Sequence, residues 1–253
     1  MIDTHCHLYS TDLLGDIDKI IKNARAANVF KFYLPAIDST HTLNMQKVTN
    51  KYPECCFAMA GLHPCSVKQN FMDELTHVKH ILATQKIYGI GETGLDFYWD
   101  KTYINQQYEA LEIQIKLALA HNLPLILHTR DAIQQTIDVV KKYKNTKLRG
   151  IFHCFTGSYE QAKEIIDTGF YLGIGGVITY KNAGIADVIS KINLAHIVLE
   201  TDAPYLTPVP FRGKLNESSY LKYIAEKIAT LKNCSVAEVD VVTTNNAEII
   251  FGI

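Results

Sequence analysis

With 253 residues the chain has the length of one α/β barrel, which runs to about 250 residues, and 47% hydrophobic with 20% charged residues describes a globular protein with ample core. Its 25 basic and 26 acidic residues leave a formal net charge of −1, so no overall basic field recruits polyanions; this excludes a nucleic-acid coat or scaffold, though not an enzyme that grips a few phosphates with local cations. No run approaches 18 apolar residues and no leader pattern opens the chain, so a cytoplasmic protein without a membrane partner is expected. Cys6, Cys55, Cys56, Cys65, Cys154 and Cys234 show no CxxC spacing and are expected to be reduced, buried thiols.

Eight short apolar runs follow one another, most of them leading into a polar turn and a helix-length segment. The first, residues 2–7, contains His5-Cys6-His7. In a strand, His5 and His7 would point one way and Cys6 the other. Leu13, Ile17, Ile20, Ile21 and Ala24 then fall at helical spacing before the second run, 30–37. Runs three and four cover 56–62 and 87–92. Tyr108, Leu111, Ile115 and Leu119 mark the longest amphipathic helix, which should end near His121-Asn122 and lead into run five, 123–128. Asp131 is expected to cap a helix over 132–143, and Ser158 one over 159–167, with run six at 149–154 between them. Runs seven and eight are 170–175 and 197–202, and helices over 219–231 and 236–251 read as the last cover. This β–α alternation predicts a parallel sheet, and eight repeats predict closure into a TIM (β/α)8 barrel, one domain over 1–253. A doubly wound open sheet is the alternative, weakened because no GxGxxG opens a helix after a strand.

In such barrels the chemistry sits at the C-terminal ends of the strands. Here those ends carry His5 and His7, His63, Glu92, His128, His153, and Glu200 with Asp202. A single histidine after an apolar run is ordinarily a satisfied core or loop residue. Glu92 and Asp202 are different, since a carboxylate ending an apolar run is costly to bury unless paired or metal-bound. Taken together, the set predicts a divalent-metal site. His41, His77, His80, His121 and His196 lie away from these ends and are read as surface or structural.

Six ordered segments carry a family resemblance. They are Asp3-Thr4-His5-Cys6-His7-Leu8, Gly61-Leu62-His63-Pro64, Gly89-Ile90-Gly91-Glu92-Thr93-Gly94-Leu95-Asp96, His153-Cys154-Phe155-Thr156-Gly157-Ser158, Leu199-Glu200-Thr201-Asp202-Ala203-Pro204-Tyr205-Leu206, and Arg212-Gly213-Lys214-Leu215-Asn216-Glu217. Together they resemble the TatD-related deoxyribonucleases, metal-dependent hydrolases with an amidohydrolase-like barrel. The resemblance implies two divalent ions. His5, His7 and Asp202 would hold the first, Glu92 would bridge both, and His128 and His153 would hold the second. Thr156, Leu215 and Ser218 stand where the family commonly has serine, arginine and proline, and none of them is a proposed ligand.

On this reading two ions would activate a shared water for attack on a phosphodiester of DNA, with the 3′ end of a single or damaged strand as substrate. Asp202 would accept the water's proton. Arg130, Arg212 and Lys214 are the candidate phosphate-binding cations, against the alternative of solvated loop charges. His63 would bond a phosphate or the nucleophile, or else steady the turn before Pro64. Glu200 would orient a metal ligand or pair with a neighbouring cation. Tyr98 and Trp99 would stack on a base or pack as a lid. Four imidazoles favour zinc, nickel or manganese over magnesium on ligand softness, whereas the family is described as magnesium-dependent. A monomer is expected. The alternative activity is hydrolysis of small amides, lactones or phosphoesters at the same centre.

Overall fold

The computed structural model describes residues 1–252. Its strands are β1 Ile2–Asp3, β2 Lys31–Leu34, β3 Cys56–Ala58, β4 Ile90–Asp96, β5 Leu125–Arg130, β6 Gly150–Phe152, β7 Phe170–Ile174 and β8 Ile197–Leu199. All pairings are parallel, in two arcs, β1-β2-β3 and β4 through β8 in order. Both seams between the arcs are bonded. Ala60 bridges Ile90, and Gly91 N donates to Ala60 O at 2.9 Å. Thr4 N donates to Leu199 O at 3.0 Å and closes β8 on β1. The strands therefore form a closed (β/α)8 barrel, where an open doubly wound sheet would leave two edges unpaired.

Side chains alternate across the barrel wall. Ile2, Tyr33, Phe57, Ile126, Ile151 and Val198 form one cluster with Ala247, Ile250 and Phe251. Their chain neighbours Phe32, Cys56, Leu125, Leu127, Phe152 and Leu199 pack in another cluster with helix residues such as Leu111, Ile137, Ile165 and Ile224. The last helix, Val236–Phe251, seals the mouth where the strands begin: the Phe251 ring stacks on Tyr33 at 3.6 Å, and Asn246 Nδ2 donates to Leu194 O and Ile197 O. The opposite mouth, where the strands end, is left for chemistry.

Several boundaries differ from the sequence expectation. Regular pairing in β1 stops at Asp3 rather than His7, and the backbone beyond it is held by single bonds to both neighbours. Cys6 N donates to Tyr33 O at 3.1 Å, whereas His5 O accepts from Asp202 N at 2.9 Å and His7 N donates to Ala203 O at 2.7 Å. The segment bearing His5 and His7 is thus clamped between β2 and the exit of β8. β4 starts and ends later than expected, which places Glu92 inside the strand. Glycines permit this. A Cβ on Gly91 would lie 2.6 Å from Ile126 Cβ, and Gly94, at φ +138°, would put one 2.1 Å from His128 O. Ser158 caps Tyr159–Asp167 in a capping box with Gln161. Asp131 caps nothing: the helix is Ile133–Lys141, its N-cap residue Ala132 makes no side-chain bond, and Asp131 itself sits at φ 53°. All six cysteines are free thiols; Cys6, Cys55 and Cys56 are buried, while Cys65, Cys154 and Cys234 are partly exposed. No described helix is long and apolar enough to cross a membrane.

Gly94→Ala forces a side chain against the β5 backbone from a left-handed conformation. It should cost about 2–4 kcal/mol of stability in urea unfolding, through overpacking and backbone strain combined. A loss below about 0.5 kcal/mol, the usual surface effect, would show that β4 and β5 do not approach as described.

Candidate metal centre

Glu92 projects from the middle of β4 and is 2% exposed. An isolated carboxylate at that depth is costly unless donors or cations meet it. Its two oxygens face different histidines. Oε2 lies 3.1 Å from His5 Nε2 and 3.7 Å from His7 Nε2. Oε1 lies 2.8 Å from His128 Nδ1, 3.3 Å from His63 Nε2 and 3.4 Å from His153 Nε2. Asp202 Oδ1 reaches the first side, 3.5 Å from His5 Nε2 and 3.4 Å from His7 Nε2. Three donor groups are tight enough to hold an ion: His5, His7 and Glu92; His5, His153 and Asp202; and His63, Glu92 and His128. His153, which the resemblance pairs with His128, stacks on His5 with ring centroids 3.6 Å apart and so stands between the two sides.

Three of these rings, those of His153, His7 and His128, have an outer nitrogen committed to a fixed acceptor. His153 Nδ1 donates to Glu200 Oε1 at 3.0 Å, and Glu200, fully buried, also accepts the Cys154 N–H at 2.5 Å. His7 Nδ1 donates to Tyr9 Oη at 2.8 Å, because the Tyr9 hydroxyl is itself spent on Pro35 O at 2.5 Å. Each of these contacts fixes the tautomer that turns an Nε2 lone pair toward Glu92 and Asp202. His128 is oriented the other way round, with Nε2 on Asp96 Oδ2 at 2.9 Å and Nδ1 facing Glu92. His63 differs again. Its Nδ1 accepts the Cys65 N–H at 3.0 Å, capping the turn Pro64–Ser66, so in the neutral ring Nε2 carries the proton and meets the centre as a donor. His63 therefore steadies its turn and faces the site at once.

The electrostatics follow from this crowding. Burial opposes a charge on Glu92, yet His63, His153 and His5 hold its carboxyl well below the ordinary range. Burial likewise opposes the charged forms of Asp202 and Asp96, but histidine contacts and, for Asp96, the N–H groups of Trp99 and Tyr98 hold both low. Among the rings, burial lowers His5 and His63. It works against His153 too, but Glu200 and Glu92 outweigh it and push that ring up to about 10, so an ion bound there takes the place of its Nε2 proton. Ionised carboxylates beside converging imidazoles suit a divalent cation.

Two groups in this arrangement were not singled out from sequence. Asp96 lies at period two from Glu92 along β4, so strand alternation could have found it. Tyr9 lies beyond a turn at Leu8, where no periodic signal survives. A third, Asp3, is fully buried and ties the β8 exit to β1. It accepts from Thr201 N, Thr201 Oγ1 and Ser218 Oγ at 2.9, 2.6 and 2.6 Å, which also gives the unusual Ser218 a structural task.

Above the centre opens a cleft of about 700 Å³ lined by Arg130, Trp99, Thr156, Tyr205 and Leu206 among others. Arg130 stacks over the Tyr98 ring at 4.2 Å, so that tyrosine supports a cation. Arg212 and Lys214 do not join the cleft lining. Both are exposed on the loop after β8, with Arg212 over the Tyr180 ring at 4.1 Å. Asn216, from the same loop, is buried and donates to Thr201 O and Tyr205 O at 2.7 and 2.6 Å.

Residues 2–252 match the family described as TatD related DNase. The chain is 38% identical over 254 residues to YabD of Bacillus subtilis, an uncharacterized metal-dependent hydrolase, covering 100% of this chain and 99% of the relative. It is 35% identical over 259 residues to the metal-dependent hydrolase YcfH of Escherichia coli K12, covering 100% and 96%. The crystal structure of YjjV, a TatD homologue from Escherichia coli K12, superposes with a TM-score of 0.94 at 29% identity, covering 100% of this chain and 98% of that one. With the barrel, the buried donor set and these likenesses agreeing, the chain belongs to the TatD-related DNase family.

Proposed function

We propose that this metal-dependent hydrolase cleaves phosphodiester bonds of DNA, shortening single strands from the 3′ end, with two divalent ions (zinc, manganese or magnesium) at one centre. The observation that carries the two-ion reading is the division of Glu92, with one oxygen toward His5 and His7 and the other toward His63, His128 and His153. The donors fit such ions. His5 Nε2 and His7 Nε2 lie 3.3 Å apart beside ionised carboxylates, an arrangement of lone pairs that calls for positive charge between them. In the proposal His5, His7 and Asp202 hold one ion, His128 and His153 the other, and Glu92 both. When bound, divalent ions lower the pKa of water and polarise a phosphoryl oxygen.

The remaining steps fall to side chains. Asp202, held ionised and next to the first donor set, takes the proton of the attacking water. His63, with its proton fixed on Nε2, donates to a phosphoryl oxygen. Arg130, braced on Tyr98, binds a neighbouring phosphate. Arg212 and Lys214 stand outside the cleft lining and serve a more distant phosphate. That distance is also the observation that favours the second reading, a hydrolase of small phosphoesters, which needs a single cation. One chain supplies a complete donor set, so the centre needs no residue from a second copy, and the proposal takes the protein as a monomer.

A 5′-labelled single strand, a duplex and a panel of small esters, each incubated with and without chelator, separate the readings. Chelator-sensitive shortening of the single strand from its 3′ end is expected. Turnover of small esters with every nucleic acid left intact would contradict it. A second expectation concerns Glu200→Gln, which removes the charged acceptor from His153 Nδ1. Its affinity for the weaker ion should fall about 10–100-fold in chelator competition, the usual effect of losing a group that orients a ligand. Unchanged affinity would show that Glu200 does not orient His153 for metal.

A further inference from the structure

Among the described residues four aromatic side chains are exposed: Phe30, Tyr98, Trp99 and Tyr205. Two of these four line one cleft. Trp99, 66% exposed, follows β4, and Tyr205, 52% exposed, follows β8; both line the cleft above Glu92. Strands four and eight are four places apart in a ring of eight, so the two rings rise on opposite sides of the mouth. Large exposed apolar faces are unfavourable in water unless they serve contact with something else.

Both rims are fixed to the donor set beneath them. Asp96 Oδ1 accepts the N–H groups of Tyr98 and Trp99 at 2.9 and 3.0 Å, while Oδ2 of the same carboxylate holds His128. Tyr205 N donates to Asp202 O at 2.8 Å, and its carbonyl accepts from the buried Asn216. Neither ring is on a free loop tip, so ordering them on binding costs little. Arg130 lines the same cleft, with its guanidinium 5.3 Å from the Trp99 ring. The cleft thus brings flat aromatic faces, a cation and the buried donor set onto one lining.

We infer that Trp99 and Tyr205 are stacking surfaces for unpaired nucleobases on the two sides of the bond that is cut, an inference that rests on the phosphodiester reading above. This combination of groups matches a nucleotide strand, which alternates flat bases with phosphates. Bases in a duplex already stack on both faces and present none to these rings, so the rims select unpaired nucleotides.

The chain contains a single tryptophan, which makes Trp99 its own reporter. Metal-loaded protein is titrated with a short phosphorothioate oligothymidylate, which resists cutting, and with an equally long phosphorothioate strand of abasic tetrahydrofuran units. The thymidine strand should quench the emission saturably and the abasic strand should not. By anisotropy of a labelled thymidine strand, Trp99→Ala and Tyr205→Ala should each weaken binding about 10-fold, within the roughly 5- to 150-fold per base that stacking supplies. Trp99→Phe should bind within about two-fold of wild type, because a smaller aromatic face remains. Equal quenching by both strands, or none by either, overturns the stacking sites. Quenching by the thymidine strand from a protein that cuts no DNA leaves them standing and overturns the phosphodiester reading instead.

Discussion

A carboxylate placed in the wall of a closed barrel has to be answered, and the surroundings of Glu92 are organised around that answer. Five imidazoles approach its two oxygens, and they arrive from the exits of different strands. Only closure of the sheet brings β1 beside β8 and carries β4 and β5 to the same mouth. The short bonded seams, Thr4 to Leu199 and Gly91 to Ala60, therefore matter more to the site than their length suggests. Glycines matter for the same reason: without Gly91 and Gly94 the backbone of β4 could not run close enough to β5 to bring Glu92 and His128 together.

Around that carboxylate the rings are held by unlike supports. A buried carboxylate backs His153, another backs His128, and a phenol bonded to a carbonyl backs His7. His5 has no acceptor for Nδ1 among the described residues and is instead stacked on His153. A charged acceptor strengthens a ring as a ligand more than a neutral one does. The side of the centre nearer His128 is accordingly the more electron-rich, and the side nearer His7 the more neutral.

Much of the barrel was legible because periodicity and turn signals repeat eight times, and an error of a few residues in one strand does not change the count. The meeting of His5, His7, Glu92, His128, His153 and Asp202 was legible for a related reason, since strand ends in a parallel barrel share one rim. What failed depended on local chemistry. Residues 4–7 read as strand because extended backbone looks alike whether it pairs with one neighbour or is tethered to two. Asp131 resembled a cap in composition, but at φ 53° it does not bond the first turn of the helix. The motif marks Arg212 and Lys214 as phosphate-type cations but does not say where they stand relative to the cleft. Loop direction, which placed them outside the cleft, is written in tertiary contacts such as the anchoring of Asn216. Asp3 was invisible because its contacts reach across some two hundred residues, and Tyr9 because it sits in a turn where no periodic signal survives.

The central claim is that Glu92 stands between two ions. Crystals grown with manganese and measured at its absorption edge test it most directly, through the anomalous difference map. The account predicts two peaks, one on the side of Glu92 that faces His5 and His7 and one on the side that faces His128. A single peak, or peaks away from the Glu92 carboxylate, would contradict it.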